Sequence, residues 1–256
     1  METAVHGPIA ECASCQVVGA YEWGFLSLPW PARAQSSFMS CCQCQGIERL
    51  FDTKLAKREL RMYRWFGPRR STSHLLSFLR DKCENRTLLD IGGGVGVVQH
   101  ELFDAGLSKA IQVDGASAYI EVSRKEAERR GNNERVEYHH GDFVDLAAGD
   151  EELRADIVSL DRVICCYPDM QKLLGSAASR AHQSVALVFP RDGRLFKLAE
   201  KIGNFFVRFF DPDYKMYIHA TGDVTSLMES RGFALTGLKR TIAWQVHLYK
   251  RITPGV

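Results

Sequence analysis

The stretch Leu88-Leu89-Asp90-Ile91-Gly92-Gly93-Gly94-Val95-Gly96 decides how this chain reads. Its apolar start predicts a short buried strand over 87–91. The glycines predict a turn that needs unusual backbone angles, and residues 96–105 predict a helix closed by Gly106. Strand, glycine turn and helix in that order let a ligand approach the backbone at the C-terminal edge of a sheet, beside a helix N-terminus. Spacing separates the candidate ligands. A dinucleotide fingerprint places Gly or Ala where Val97 stands, and a P-loop needs a lysine that does not follow. The pattern is D-x-G-x-G-x-G, with Asp90 at the end of the strand. An acid there repels a pyrophosphate and suits a ligand that carries positive charge.

Working outward, strands and helices alternate. Residues 110–113 predict a second strand, 118–130 a helix ending at Gly131, and 136–140 a third strand. A polar loop leads to a fourth strand over 157–164, then a helix over 171–182 and a fifth strand over 184–189. A helix over 225–230 and a turn at Gly232 precede two strands, 234–239 and 243–251, close enough to form a hairpin. This alternation argues for an α/β chain with a parallel sheet covered by helices on both faces. Upstream, Ile47, Leu50, Phe51, Leu55, Met62, Tyr63 and Phe66 recur at threes and fours and predict one helix over 47–66, stopped by Gly67-Pro68. Ser71 or Thr72 is then the expected cap of a helix through Leu79.

From about residue 72 to residue 251 the chain resembles the class I S-adenosylmethionine-dependent methyltransferases, because several motifs agree in order. Asp90, Gly92, Gly94 and Gly96 match the family's first motif. The resemblance implies that the glycine backbone lies along the methionine part of the cofactor and that the acid helps hold its amino group. Asp114, followed by Gly115, ends the second strand, where the family's acid takes the two ribose hydroxyls. Gly141-Asp142-Phe143 follows the third strand, where the acid meets the adenine amino group and the next residue packs at the ring. Asp161 ends the fourth strand, facing the transferred methyl group. The implied fold is a Rossmann-like sheet of seven strands in order 3-2-1-4-5-7-6, the seventh antiparallel. In Pro190-Arg191-Asp192 and in its ending, the chain looks most like small-molecule O-methyltransferases, including the magnesium-protoporphyrin type.

The implied donor is S-adenosylmethionine, whose methyl is activated by a positive sulfur, so the protein mainly aligns an attacking atom. A base is needed only if that atom arrives protonated. Asp161, Tyr167 and His219 are the candidate catalytic residues, with His139 and His140 behind them, one expected to face the core and one the site. The fourth strand runs into Cys165-Cys166-Tyr167-Pro168-Asp169, which lacks the Asn/Asp-Pro-Pro-Tyr signature of amino-methylating relatives. The order Cys-Cys-Tyr-Pro also differs from the Pro-Cys of cytosine-methylating enzymes, so both thiols read as structural. Residues 191–220 carry Phe196, Phe205, Phe206, Phe209 and Phe210 among Lys197, Lys201 and Arg208. That pattern predicts a core-facing amphipathic helix, or else part of a substrate lid.

Composition bounds the remaining classes. The chain has 256 residues, 45% of them hydrophobic and 25% charged, which fits a globular protein and excludes disorder and fibrous repeats. Apolar runs such as Val185-Ala186-Leu187-Val188-Phe189 are far short of the roughly 20 residues that cross a membrane. The net charge of +2 hides an uneven distribution. Lys54, Lys57, Arg58, Arg61, Arg64, Arg69, Arg70 and Arg80 face one acid, Glu59, so residues 54–80 carry +7 and the rest −5. Such a run is expected to be a solvated helix face; it also suits an anionic substrate or, less well, RNA phosphates. Adjacent pairs among the eight cysteines and the lack of a secretory leader indicate a reduced, cytoplasmic protein. Cys12-x-x-Cys15 has metal-ligand spacing, but Cys41, Cys42 and Cys44 do not complete it, and no metal is expected.

These expectations place an extension over 1–40 (Met39 being a possible alternative start), a helical cover over 41–70 and a methyltransferase domain over 71–256. The expected activity is methyl transfer from S-adenosylmethionine to a small-molecule acceptor, at oxygen, without nucleic-acid or membrane partners. The alternatives are an RNA methyltransferase using residues 54–80 and a non-catalytic S-adenosylmethionine-binding protein.

Overall fold

Strand β1, Thr87–Ile91, lies mid-sheet, with four of its five residues buried. In the computed structural model, which describes residues 42–207 and 214–252, it pairs in parallel with β2 (Lys109–Asp114) on one side and β4 (Ala155–Asp161) on the other. Beyond β2 lies β3 (Val136–His140); beyond β4 lies β5 (Ala181–Pro190), then β7 (Trp244–Arg251) and β6 (Phe233–Arg240). The order is β3-β2-β1-β4-β5-β7-β6, with β7 antiparallel to both neighbours, as the resemblance implies.

Successive strand residues face opposite sides, and the core follows that rule. Leu89 and Val158 pack on one face with Leu173, Leu174, Ala177, Val224 and Met228 from α7 (Met170–Arg180) and α9 (Thr221–Ser230). Their neighbours Leu88 and Ile157 pack on the other with Leu75, Leu76, Leu79, Val98 and Leu102 from α3 (Arg70–Leu79) and α4 (Val97–Phe103). Each fully buried leucine contributes about 1.5–3 kcal/mol relative to exposure, so a one-residue slip of β1 would forfeit both layers.

The cover is built differently from the expected single helix. It is two helices, α1 (Cys42–Leu50) and α2 (Thr53–Phe66), broken where Asp52 turns extended and accepts the Leu55 N–H at 2.8 Å. An Asx cap outcompetes helix continuation there, because Asp bonds the backbone more readily outside a helix than within it. Ala56, Leu60 and Tyr63 of α2 pack on Tyr119 and Val122 of α5 (Ser117–Arg129). Beside them the buried Glu126 carboxylate takes Arg64 of α2 together with Arg129 and Arg130.

Other expectations need correction. Helix α3 begins at Arg70, with Arg69 as its cap residue, and Thr72 donates its hydroxyl to Asp161 instead of capping. The polar loop after β3 contains a helix, α6 (Phe143–Gly149), capped by Asp142. Strand β4 ends at Asp161, and a 3₁₀ turn, Ile164–Cys166, follows. Helix α8 (Arg194–Val207) does not face the core: Leu195, Leu198, Ile202, Phe205 and Phe206 are all exposed. Among the described residues, no helix is long and apolar enough to cross a membrane.

Candidate functional site

The sheet order brings the ends of β3, β2, β1 and β4 side by side, and with them the acids singled out from the sequence. Between them runs the glycine loop. Gly92, Gly94 and Gly96 have φ of +62°, +58° and +81°, a left-handed conformation that costs other residues about 1–2 kcal/mol each. The Gly92 N–H donates to Val113 O at 2.7 Å, anchoring the loop to β2. A buried chain of polar groups supports it from below. Gln99 donates to Ser123 (3.2 Å), Ser123 to Gln112 (2.6 Å), and Gln112 to the Gly94 carbonyl (2.8 Å). A methyl at Gly96 would lie 2.5 Å from Ser123 Oγ, so the loop seats directly on this chain. Gln99, Gln112 and Ser123 were not anticipated. Polar residues in a buried strand and in the helices packed on it were the available signal.

Asp90 sits at the floor, 1% exposed, between Gln112 of β2 and Ser159 of β4. Its Oδ1 accepts the Ser159 hydroxyl at 2.6 Å; its Oδ2 is buried with no hydrogen-bond partner. Burial pushes its pKa up to about 7, with the Asp161 and Asp114 charges adding to the shift and Ser159 opposing it. Asp114 accepts the Gly94 N–H at 2.8 Å and the Ala116 N–H at 2.9 Å. Burial again raises its pKa, to about 6, against those two bonds. A carboxylate has about four lone-pair positions, so Asp114 can accept two more donors. Gly115, beside it, lies against Ile47 of α1. Asp142 caps α6 through the Val144 N–H (2.7 Å) and accepts the Tyr167 hydroxyl at 3.1 Å on both oxygens. Phe143 is buried in the main core.

Glu48, on α1, is a site residue that sequence reading missed. It accepts the Ser117 N–H and hydroxyl and lies 3.2 Å from His140 Nε2. Its place on the apolar-periodic segment, where polar residues read as solvated, concealed it. His140 also reaches the Gly115 carbonyl at 3.3 Å, while His139 pairs with Glu137 at 2.7 Å and does not enter the core. Phe51 meets Tyr119 and Tyr214 edge-on, with ring centres 5.7 and 6.2 Å away. Trp65 and Phe66 face outward.

The three catalytic candidates differ in what already engages them. Asp161 accepts the Thr72 hydroxyl at 2.5 Å and Arg162 Nε at 3.2 Å. Tyr167 directs its hydroxyl to Asp142. His219 uses Nε2 to donate to the carbonyls of Ile164 and Tyr167, 3.1 Å each, and stacks on Tyr217. The basic window is partly neutralised within the fold, since Arg64, Arg69 and Arg80 pair with Glu126, Glu59 and Glu101. Among the described residues no three His, Cys, Asp or Glu side chains cluster as metal ligands. Cys12, Cys15 and Cys41 and the side chains of Cys42 and Cys44 lie outside the described residues, as does the expected extension over 1–40.

This donor set fits S-adenosylmethionine. The buried, unpartnered Asp90 oxygen suits an ammonium group, the remaining positions on Asp114 suit two ribose hydroxyls, and Asp142 suits an amino group. Residues 89–188 match the family described as a methyltransferase domain. No curated protein matches the sequence significantly. Among solved structures, the magnesium protoporphyrin IX methyltransferase of Synechocystis PCC 6803 with bound S-adenosylhomocysteine is 18% identical. It covers 80% of this chain and 98% of its own, with a TM-score of 0.62. An O-methyltransferase family protein from Burkholderia thailandensis is also 18% identical, over 81% of this chain and 63% of its own, at 0.63. The pyocyanin biosynthetic protein PhzM is 18% identical, over 77% and 58%, at 0.56. These likenesses concern the fold.

Proposed function

We propose that this chain, which has the class I S-adenosylmethionine-dependent methyltransferase fold, transfers a methyl group from S-adenosylmethionine to an oxygen of a small-molecule acceptor. The observation that carries the proposal is the Asp90 carboxylate, whose buried Oδ2 has no partner behind a left-handed glycine loop. A buried acid of this kind is costly unless a cationic or hydrogen-bonding ligand completes it. When bound, the cofactor supplies a methyl already activated by its sulfonium.

The remaining work falls to residues of this chain. Asp90 holds the cofactor's ammonium, Asp114 its ribose hydroxyls, and Asp142, steadied by Tyr167, its adenine amino group. Alignment of donor and acceptor by such a clamp supplies several kcal/mol, of order 7–11 in ideal cases. A hydroxyl acceptor must also lose a proton. His219 donates through Nε2, so its Nδ1 is the nitrogen left to accept one. Asp161, already holding two donors, orients rather than deprotonates. Phe51 and Tyr214, half-buried with their rings edge-on at 6.2 Å, would suit an apolar or aromatic acceptor bearing a hydroxyl or carboxyl. The name of the Burkholderia thailandensis neighbour, an O-methyltransferase family protein, supports oxygen as the acceptor atom. The internal pairing of three arginines weighs against RNA. The proposal takes residues 71–256 as the catalytic domain, 41–70 as cover and 1–40 as an extension, in a cytoplasmic enzyme.

Calorimetry with S-adenosylhomocysteine, followed by release of S-adenosylhomocysteine on a panel of phenols and carboxylic acids, tests this. Saturable one-to-one binding and turnover on a panel member are expected. Absence of binding refutes the cofactor assignment. Binding without turnover on any pool favours a non-catalytic binding protein, and ribonuclease-sensitive turnover in extracts favours RNA.

A further inference from the structure

The turn after β4 carries two consecutive thiols that methyl transfer does not use. Cys165 is buried and Cys166 half-buried, with their sulfurs 3.8 Å apart. The Tyr214 hydroxyl lies 3.1 Å from the Cys166 sulfur. Arg162 begins the turn in a left-handed conformation, φ +63°, held by its N–H on Val188 O at 2.9 Å and its Nε on Asp161. A non-glycine residue is kept in that region only when its surroundings over-determine it. Here the result is an Arg162 carbonyl 3.3 Å from the Cys165 sulfur.

These neighbours act on the two sulfurs in opposite directions. The Cys165 thiol lowers the pKa of Cys166; burial opposes, and the Tyr214 hydroxyl and the Arg162 charge lower it further. Cys165 is raised, by its bond to Cys166 and by burial. The two sulfurs are therefore unequal: Cys165 donates its S–H to the Arg162 carbonyl at 3.3 Å and Cys166 is the more acidic of the two, the arrangement of an oxidisable cysteine beside a resolving one.

We propose that Cys166 is a modification site for hydrogen peroxide, with Cys165 as its resolving thiol. The Cys166 thiolate attacks one peroxide oxygen; the O–O bond breaks, leaving a sulfenic acid on Cys166, and the other oxygen departs as water after protonation. The Cys165 sulfur then attacks the Cys166 sulfur, the S–O bond breaks, and a second water leaves. Overall two thiols are oxidised to one disulfide while one peroxide is reduced to two waters. Neighbouring Cα atoms stand about 3.8 Å apart, less than the roughly 4.4–6.8 Å that relaxed disulfides span. Such a bond is strained and easily reduced, which makes the modification reversible.

The turn is coupled to the candidate site on both sides. A methyl at Gly92 would lie 2.5 Å from Val163 Cγ2, so the turn packs against the glycine loop. The Tyr217 N–H donates to Cys165 O at 2.8 Å, and His219 holds the carbonyls of Ile164 and Tyr167. Closing the ring pulls on both attachments. The consequence, weaker cofactor binding, rests on the methyltransferase proposal; the modification itself does not.

The test uses the reduced full-length chain, limiting hydrogen peroxide, dimedone to trap sulfenic acid, and peptide mass spectrometry. Cys83, buried and with its pKa raised, is the internal comparison. Cys166 is expected to oxidise about tenfold or more faster than Cys83, giving a Cys165–Cys166 disulfide that dithiothreitol reverses. Cys165→Ser should accumulate the dimedone adduct on Cys166, and Tyr214→Phe should slow the first step several-fold. Oxidation of Cys166 no faster than Cys83, or an unchanged product in Cys165→Ser, overturns the proposal. The readout needs no cofactor, so failure of S-adenosylhomocysteine to bind would leave it standing.

Discussion

Glu48 reaches from α1 to the first residue of α5, accepting the Ser117 N–H at 3.0 Å and the Ser117 hydroxyl as well. Burial works against this carboxylate, yet the Ser117 bonds and His140 outweigh it and hold its pKa below the usual range. The pair clasps α1 over the Asp114-Gly115 end of β2. Glu48→Ala is expected to weaken S-adenosylhomocysteine binding by about 5–30-fold, the loss of one or two charge-assisted hydrogen bonds. Calorimetry checks it; unchanged affinity would separate the clasp from the site.

Asp90 links stability to pH. Its folded pKa of about 7 stands above the ordinary 3.8, because of burial. Between those values the unfolded chain has lost a proton that the folded chain retains, so Asp90's contribution to stability falls as pH rises. His100 and His247, both lowered to about 4 by burial, act in the opposite sense, losing stability as pH falls below about 6.5. Only the difference between wild type and Asp90→Asn isolates the acid. That difference should shift in favour of the variant from pH 4 to 7, by up to about 1.4 kcal/mol per unit, while cofactor affinity is lost. Urea melts at pH 5 and 7 measure it, and a constant difference would contradict the burial assignment.

The Tyr167 hydroxyl donates to Asp142 at 3.1 Å. Tyr167→Phe should therefore raise the cofactor dissociation constant about 5–20-fold, with kcat at saturating cofactor within about twofold. A large kcat loss at unchanged affinity would move the hydroxyl to the reacting atoms.

Gly94 and Gly96 should separate binding from folding. A methyl at Gly94 meets only Tyr119 Cδ1, at 3.6 Å, whereas one at Gly96 enters the Ser123–Gln99 chain. Gly94→Val is expected to abolish S-adenosylhomocysteine binding while leaving the protein folded. Gly96→Ala should lower unfolding free energy by about 1–3 kcal/mol as well. Near-native affinity in Gly94→Val would refute the loop assignment.

Glu126 carries the docking of α2. Its buried carboxylate gathers three guanidinium groups, which keep its pKa well below the carboxylate range against the opposing effect of burial. Glu126→Ala leaves those partly solvated cations without their shared partner and should cost about 1–3 kcal/mol in a urea melt. A smaller loss, under about 0.5 kcal/mol, would show that Glu126 does not hold α2.

Sequence by itself determined the sheet and its ligand-facing edge. Thr87–Ile91 can only be a buried strand and Gly92–Gly96 a left-handed turn, since apolar period and glycine sterics are local properties. Asp114 and Asp161, each ending a strand, Asp90, one residue before the end of β1, and Asp142, two residues past β3, were legible for the same reason. Tertiary structure decided what those acids touch. That Asp161 holds Thr72, that Tyr167 serves Asp142, and that Glu48 clasps Ser117 depends on residues 89, 25 and 69 positions apart. Likewise α8 has the periodicity of a core helix yet exposes its apolar face. Periodicity specifies that a face exists, whereas what covers it is a matter of long-range packing.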